Sequence, residues 1–332
     1  MKYLESIQQS LEELLSLDNR VYIIGEDILD PYGGAFRATK NLSTKYPGRV
    51  IATPISEAAI TGIGTGMAIR GMRPIIEIMF GDFLSLCFDQ ILNSASKFPL
   101  MYKSKVTVPL VIRTPMGAGR GYGPTHSQSI EKHFLGMPGL NVVAPSIFHN
   151  PGKLLKNATL KDNNLVLFIE NKVLYTKDVV DLDGVLKIEF LGDELYPIAK
   201  IKNYSGLAKP DIIIFSYGGM SELIKEIMIE LIDEEINILA LCPSLISKFN
   251  LSNELLLVGE VRRILIVEEG CSGFNWGSEM AAILYTEYFN KLDKEIVRIS
   301  SQYDVIPASK KLEHEHLPNK IEIIQSIFNL IS

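Results

Sequence analysis

One acidic residue, Glu57, opens an otherwise apolar, glycine-studded stretch that runs Ala58-Ala59-Ile60-Thr61-Gly62-Ile63-Gly64-Thr65-Gly66-Met67-Ala68-Ile69. A carboxyl set at the start of such a helix enters a low-dielectric setting, which raises its pKa from a reference of about 4.3. The helix N-terminus opposes that shift. Two readings stand side by side: a carboxylate that exchanges protons, or an ordinary first-turn glutamate behind a Ser56 N-cap. Three other loops carry residues of chemical interest: Gly25-Glu26-Asp27, Phe80-Gly81-Asp82-Phe83, and the glycine-rich run Gly117-Ala118-Gly119-Arg120-Gly121-Tyr122-Gly123-Pro124 that delivers Thr125-His126-Ser127-Gln128. Glu26 and Asp27 suit either a site or a turn, and Phe83 either a cofactor platform or a core aromatic. Glycines packed before His126, one of five histidines, suggest close backbone approach to a ligand, although a merely flexible loop has the same composition. In Glu313-His314-Glu315-His316, alternate spacing on a strand would put both histidines on one face as metal ligands; a solvated segment explains them as well.

These residues need a scaffold, and the chain alternates short apolar runs with helical periodicity. Runs at 21–24, 50–52, 75–78, 110–113, 141–144 and 165–169 read as strands. Segments at 4–14, 35–46, 57–69, 83–97 and 151–160 read as helices. Short apolar strands between helices imply a parallel sheet covered on both faces. A second series follows, with strands at 212–215, 236–240, 264–267 and 297–299 and helices at 221–232, 278–288 and from about 320. The expectation is two doubly wound α/β domains, residues 1–175 and 210–332, joined by a connector over 176–209 that holds one hairpin. Ligands of parallel sheets bind at the carboxyl ends of the strands, where all four candidate loops fall.

The 332 residues suit two domains, and 47% hydrophobic with 22% charged residues is a soluble globular composition. A formal net charge of -6 speaks against nucleic acid or an anionic membrane as partner. Cys87, Cys242 and Cys271 form no metal or disulfide spacing and are expected as buried, inert thiols in a reducing compartment. Met1-Lys2-Tyr3-Leu4-Glu5 leads straight into a helix, and no apolar run reaches the roughly 20 residues of a membrane span, so a cytoplasmic protein is expected. No Gly-Lys-Ser/Thr follows the glycine loop, and Gly62-Ile63-Gly64-Thr65-Gly66 misses the dinucleotide spacing.

Taken together, Gly25-Glu26-Asp27, Tyr32-Gly33-Gly34-Ala35-Phe36, Thr53-Pro54-Ile55-Ser56-Glu57, Gly71-Met72-Arg73-Pro74, Asp89-Gln90-Ile91-Leu92-Asn93 and Thr125-His126-Ser127-Gln128 resemble the β subunit of the 2-oxo acid dehydrogenase decarboxylase component. This thiamine-diphosphate-dependent family includes the pyruvate, branched-chain 2-oxo acid and acetoin dehydrogenases. The likeness continues through Val267-Glu268-Glu269-Gly270 and Val305-Ile306-Pro307-Ala308. It implies a transketolase-like pyrimidine-binding domain followed by a transketolase C-terminal-like domain.

The resemblance also implies roles. Glu57 would exchange a proton with the pyrimidine nitrogen N1′ of thiamine diphosphate and so activate the thiazolium carbon. Phe83 would stack on the pyrimidine, and His126 would contact substrate and support acyl transfer to a lipoyl group. Glu26 would line a water-filled passage between paired sites. The family binds magnesium and diphosphate through Gly-Asp-Gly, which is missing here: Phe83 follows Gly81-Asp82 and Glu194 follows Gly192-Asp193. A separate α subunit is therefore expected to hold the diphosphate and Mg2+ in an α2β2 enzyme. Small residues along 62–68 would permit close helix approach between subunits or packing on the chain's own sheet. Departures at residues 120–125 and at Glu131-Lys132-His133 leave the 2-oxo acid open. Leu241-Cys242-Pro243-Ser244-Leu245 stands where the family carries arginine-serine-leucine, which leaves docking of a lipoyl-bearing acyltransferase open. A potassium ion near Asp162 and Asn164 would follow by analogy, and a polar turn explains the same residues. The competing readings are a split transketolase-like carboligase and a non-catalytic assembly subunit.

Overall fold

The computed structural model describes residues 1–179, 184–206, 208–248 and 262–332. The expected connector thus lies partly outside the described residues, at 180–183 and 207. The chain begins with α1 (Tyr3–Leu17), whose Tyr3, Ile7, Leu11, Leu14 and Leu15 are buried at helical spacing, and whose N-terminus is closed by the Glu5 carboxylate accepting from the Lys2 N–H at 2.8 Å. There follow β1 (Val21–Gly25), α2 (Leu42–Lys45), β2 (Val50–Ala52), α3 (Glu57–Ile69) and β3 (Arg73–Glu77). Next come α4 (Phe98–Met101), β4 (Val111–Met116), β5 (Leu140–Val143), α5 (Pro151–Leu160) and β6 (Leu165–Asn171). The six strands form one parallel sheet in the order β2-β1-β3-β4-β6-β5.

The second half contributes β7 (Lys187–Leu191), β8 (Ile198–Lys202), β9 (Ile212–Ser216), α6 (Met220–Glu230), β10 (Ile238–Pro243), β11 (Ile264–Cys271), α7 (Trp276–Tyr288), β12 (Val297–Ser301), α8 (Lys310–His316) and α9 (Lys320–Ile331). Its sheet order is β12-β11-β9-β10-β8-β7, parallel through β10 and antiparallel at the β7-β8 hairpin, so the expected hairpin extends this sheet. Alternate strand residues go to opposite cores. Ile23, Ile75 and Val166 join Ile212 and Ile214 under α1, α5 and α6, while Ile24, Ile76 and Leu167 join Ile213 and Phe215 on the other face. The two sheets are also stitched at one edge: β5 bridges Leu245, with Ala144 donating to the Ser244 carbonyl at 2.8 Å and Ile246 to that of Val142 at 2.9 Å. Among the described residues no helix is long and apolar enough to cross a membrane.

Two expected helices differ. Of residues 35–46 only Leu42–Lys45 is α-helical, because Gly33, Gly34, Arg37 and Asn41 all have positive φ. The Asp30 carboxylate organises this stretch instead, accepting from Asn41 N at 2.6 Å, Ser43 Oγ at 2.8 Å, Thr44 N at 2.9 Å and Thr44 Oγ1 at 2.7 Å. The expected helix at 83–97 is a tight 3-10 segment, Gly81–Cys87, followed by a π-helical one, Gln90–Ala95. Its entry packs tightly on β4: a Cβ on Gly81 would lie 2.7 Å from Met116 Cγ, so only glycine fits there. Such irregular helices occur often at functional sites.

Candidate active site

The carboxyl ends of β1 and β2 carry Glu26 and Glu57. Pro54 and Ser56 break the chain after β2, and the Ser56 hydroxyl accepts from Ala59 N at 3.4 Å to start α3, which places Glu57 in its first turn with 5% exposure. Glu26 is buried beside it. Burial first, and then the Glu57 charge, push the Glu26 carboxyl above its ordinary value, with the Ser56 N–H pulling the other way. Glu26 Oε1 has no hydrogen-bond partner. Two neighbouring carboxyls, one of them shifted toward its protonated form by burial and by the other's charge, are an arrangement suited to proton exchange.

The 3-10 segment links this pair to the aromatic part of the site. Its last residue, Cys87, is fully buried and feels Glu57; burial pushes its thiol up to about 11, so it is an inert wall. Its third residue is Phe83. The Phe83 ring lies 5.2 Å from the His126 ring and 6.0 Å from Phe80, and Phe80 lies 4.5 Å from His126, all edge-on. The Thr125 hydroxyl and His126 Nδ1 are 2.9 Å apart, which leaves Nε2 for a ligand. The structure therefore brings together Glu26 with Glu57, and Phe83 with His126, along one rim.

Several residues at this rim escaped the sequence reading. Lys172, one residue beyond β6, is fully buried; its Nζ donates to the His126 carbonyl and sits 5.3 Å from the Phe80 ring centre and 5.6 Å from that of Tyr122. Burial lowers its pKa to about 8 against the opposing pull of Glu269 and Asp82. Asp82 is held above its ordinary value by burial, and Lys172 and His126 partly restore it. Polar residues closing the apolar strand, Glu170-Asn171-Lys172, were the available signal. Below the rim, fully buried Arg113 donates to Glu170 Oε1 from Nε at 2.8 Å and to Oε2 from Nη2 at 2.7 Å, and also to Glu77. This triad ties β3, β4 and β6 together. Truncating one partner of such a network costs about 3–5 kcal/mol.

The glycine loop is gripped from the second domain. Gly117, Gly119, Gly121 and Gly123 all have positive φ. Glu269 at the end of β11 accepts from Ala118 N at 2.7 Å, Ser129 Oγ at 2.9 Å and Asn171 Nδ2 at 2.8 Å. A Cβ on Gly117 would lie 2.5 Å from Asn171 Nδ2 and 2.7 Å from Glu269 Oε1, so only glycine fits. Glu313 accepts from Gly119 N and Gly121 N, each at 2.9 Å. Hydrogen bonds to a charged group contribute about 1.5–3 kcal/mol each. A cleft of about 450 Å³ opens beside the loop, lined by Gln128, Lys132, Cys271 and Ile306 among others.

Other expectations meet different fates. His314 and His316 lie on α8, and helical geometry separates them where a strand would have aligned them. His314 and Glu315 are exposed, as a solvated segment predicts, whereas their neighbour Glu313 is buried at 3% exposure. Cys87 and Cys242 are buried, whereas Cys271 is half-buried with Lys132 Nζ 2.9 Å from its Sγ. Glu131 is buried and accepts from Tyr217 Oη at 2.5 Å, joining the domains. Both oxygens of Asp162 are taken by donors: Asn141 Nδ2 at 2.8 Å, Tyr196 Oη at 3.0 Å, and Asn164 through N at 2.9 Å and Nδ2 at 2.8 Å. Ser244, within the 241–245 segment, is fully buried in the stitch between the sheets.

Residues 1–177 match the transketolase pyrimidine-binding domain model, and residues 206–323 match the transketolase C-terminal domain model. The chain is 34% identical to the pyruvate dehydrogenase E1 component subunit beta of Gracilaria tenuistipitata var. liui, over 98% of each chain. It is 32% identical to the acetoin:2,6-dichlorophenolindophenol oxidoreductase subunit beta of Cupriavidus necator, over 96% of this chain and 94% of that one. In fold it resembles a split gene transketolase, solved as an inactive beta4 tetramer, with a TM-score of 0.71 at 16% identity over 100% of this chain and 98% of the other. With both halves of the chain matched and relatives aligned end to end, it belongs to the family of 2-oxo acid dehydrogenase decarboxylase β subunits, built from transketolase-type pyrimidine-binding and C-terminal domains.

Proposed function

We propose that this chain is the β subunit of a thiamine-diphosphate-dependent 2-oxo acid dehydrogenase, with a separate α subunit holding the diphosphate and Mg2+. The carrying observation is the rim itself: buried Glu57 beside a partner-poor Glu26, joined through one 3-10 segment to the Phe83–His126 pair. These groups fit a pyrimidine, since they combine a proton-exchanging carboxyl, an aromatic surface and an orphaned buried oxygen. When bound, the cofactor supplies an activated thiazolium carbon that takes up the electron pair released on decarboxylation.

The chain's own residues do the rest. Glu57 holds and releases the proton at pyrimidine N1′, and Glu26 serves as the neighbouring proton store in the passage toward a paired site. Phe83 packs on the pyrimidine. His126, with Nδ1 engaged by Thr125, presents Nε2 to the 2-oxo acid and to the lipoyl acceptor of an acyltransferase. The expected limits 1–175 and 210–332 leave out β7 and β8, which belong to the second sheet, so we assign 1–175 to the first domain and draw the second from Lys187 to 332; the cytoplasm suits a chain whose thiols are free. An α2β2 assembly is supported by the outer face of α3. Gly62 and Gly66 are open, with nothing within 4 Å of a built Cβ, and Ile63 is exposed, while Gly64 packs inward on Ile76 and Leu110.

The decisive test is decarboxylation of a panel of 2-oxo acids by the reconstituted α and β chains with an artificial electron acceptor. Turnover that needs both chains and is lost in Glu57→Gln is expected. Saturable thiamine diphosphate binding at micromolar cofactor, or decarboxylation, by the isolated β chain overturns the shared site. Transfer to an aldehyde with none to lipoamide would move the reading to a split carboligase.

A further inference from the structure

The four-residue run Glu313-His314-Glu315-His316 has a use that its metal-like spacing conceals. Helix α8 is seven residues long, and its one buried side chain is the Glu313 carboxylate; Leu312, the apolar residue beside it, is 47% exposed. A helix this short normally anchors itself with a hydrophobe, because burying a carboxylate is costly unless it finds donors. Glu313 finds two, the Gly119 and Gly121 amides, each 2.9 Å from a different oxygen. Positive φ at both glycines turns the alternate N–H groups to one side, which shapes the loop as a cradle for a single anion. The preceding segment lies along the same loop: a Cβ on Gly123 would meet Ala308 Cβ at 3.3 Å, and Ile306 N donates to Gln128 Oε1 at 3.4 Å. From the opposite side the loop is tied through Arg120, which donates to the Lys172 carbonyl at 2.7 Å, and through Lys172 Nζ on the His126 carbonyl.

We propose that Glu313 is a positioning residue for the chemistry of His126: its carboxylate clamps the Gly119 and Gly121 amides and so fixes the loop that delivers the imidazole. This rests on the reading of His126 as a substrate-side group. Removing one of two acceptors lets the loop drift, and a displacement near 1 Å at a reacting group costs up to about 100-fold in rate.

The test uses the assembled αβ enzyme. Glu313→Gln keeps the shape but presents one acceptor oxygen and an NH2 that faces an N–H, whereas Glu313→Asp keeps both oxygens on a shorter arm. Amide exchange of residues 117–123 is expected to quicken about tenfold or more in the Gln variant and to recover partly with Asp. kcat is expected to fall about 10- to 100-fold while the KM for cofactor stays unchanged. In a His126→Ala background, Glu313→Gln should cause little additional loss, because the clamp acts through the histidine. Unchanged exchange in the Gln variant overturns the clamp, and losses that multiply in the double variant overturn its action through His126. Wild-type turnover in His126→Ala overturns the reading of the histidine, and exchange then decides the clamp by itself. Should the Gln variant fail to assemble, Glu313→Asp and Glu313→Ala are compared instead: exchange and kcat closer to wild type in Asp than in Ala support the two-acceptor clamp, and equal impairment of the two overturns it.

Discussion

The two ends of the candidate site are built in opposite ways. Glu57 is placed by its immediate neighbours: a short strand, Pro54, the Ser56 cap and the first turn of α3. His126 is placed by residues far along the chain, with Gly119 held by Glu313 across 194 positions and Ala118 by Glu269 across 151. A locally built end needs only its own strand and helix to form. A remotely built end exists only once both domains have docked, so its geometry answers to every group in the seam between them.

The largest effect expected on this contrast is at the local end. Glu57→Gln should lower turnover of the assembled enzyme by about 100-fold or more while leaving thermal unfolding unchanged, because the amide keeps the shape and cannot carry the proton. Wild-type turnover in that variant would remove Glu57 from the chemistry.

Next in size is a pH effect on the seam. Glu268, beside Glu269 on β11, is buried; its carboxyl is pushed up from 4.5 to about 8, mainly by burial and further by Glu131. The folded chain then keeps a proton that the unfolded chain has released. Stability should therefore fall as pH rises between about 4.5 and 8, by a few kcal/mol in order of magnitude, and level off above. Glu268→Gln, which still accepts from Gly277 N, should flatten that slope in melts taken across the range. A variant with the wild-type slope would locate the proton elsewhere.

Gly117→Ala tests the remote end by steric means. The added methyl group meets Asn171 and Glu269 in a backbone region that suits glycine, so a loss of about 1–3 kcal/mol in denaturant unfolding is expected, with reduced turnover. Retained stability and turnover would show the loop to be freely adjustable. Smallest is Ser56→Ala, where loss of the N-cap should cost about 1 kcal/mol and leave amide exchange at 117–123 untouched. Exchange changing there would erase the distinction between the two ends.

The same contrast explains what could be read from the sequence. Strand order aside, most elements follow from short apolar runs and helical spacing, and Glu26, Glu57, Phe83 and His126 stand out because each follows a strand. The stretch at 35–46 has helical periodicity, but Asp30 supplies backbone donors with a partner outside a helix, and periodicity does not register that competition. Lys172 was visible only as a polar residue closing an apolar strand. Glu313 stood out only within a metal-like run, and its contacts left no signal, since its partners are backbone amides and an amide has no side chain to mark it. Cys271 was expected inside with the other thiols, and the length of β11 carries it out to the seam, where Lys132 reaches it.

The stitch between β5 and Leu245 has a meaning for synthesis on the ribosome. Strand β5 is the outermost member of its sheet, and until Leu245 arrives its free side offers bare N–H and C=O groups to any passing chain. About 100 residues separate the two, which at roughly 5–20 residues per second leaves the edge open for about 5–20 s in each nascent polypeptide. Within that interval the edge is open to pairing with a copy on the next ribosome. The chain's hazard in the cell is thus one of timing, and slowing translation across the second domain would raise the share of molecules lost to aggregation without altering a single contact in the finished protein.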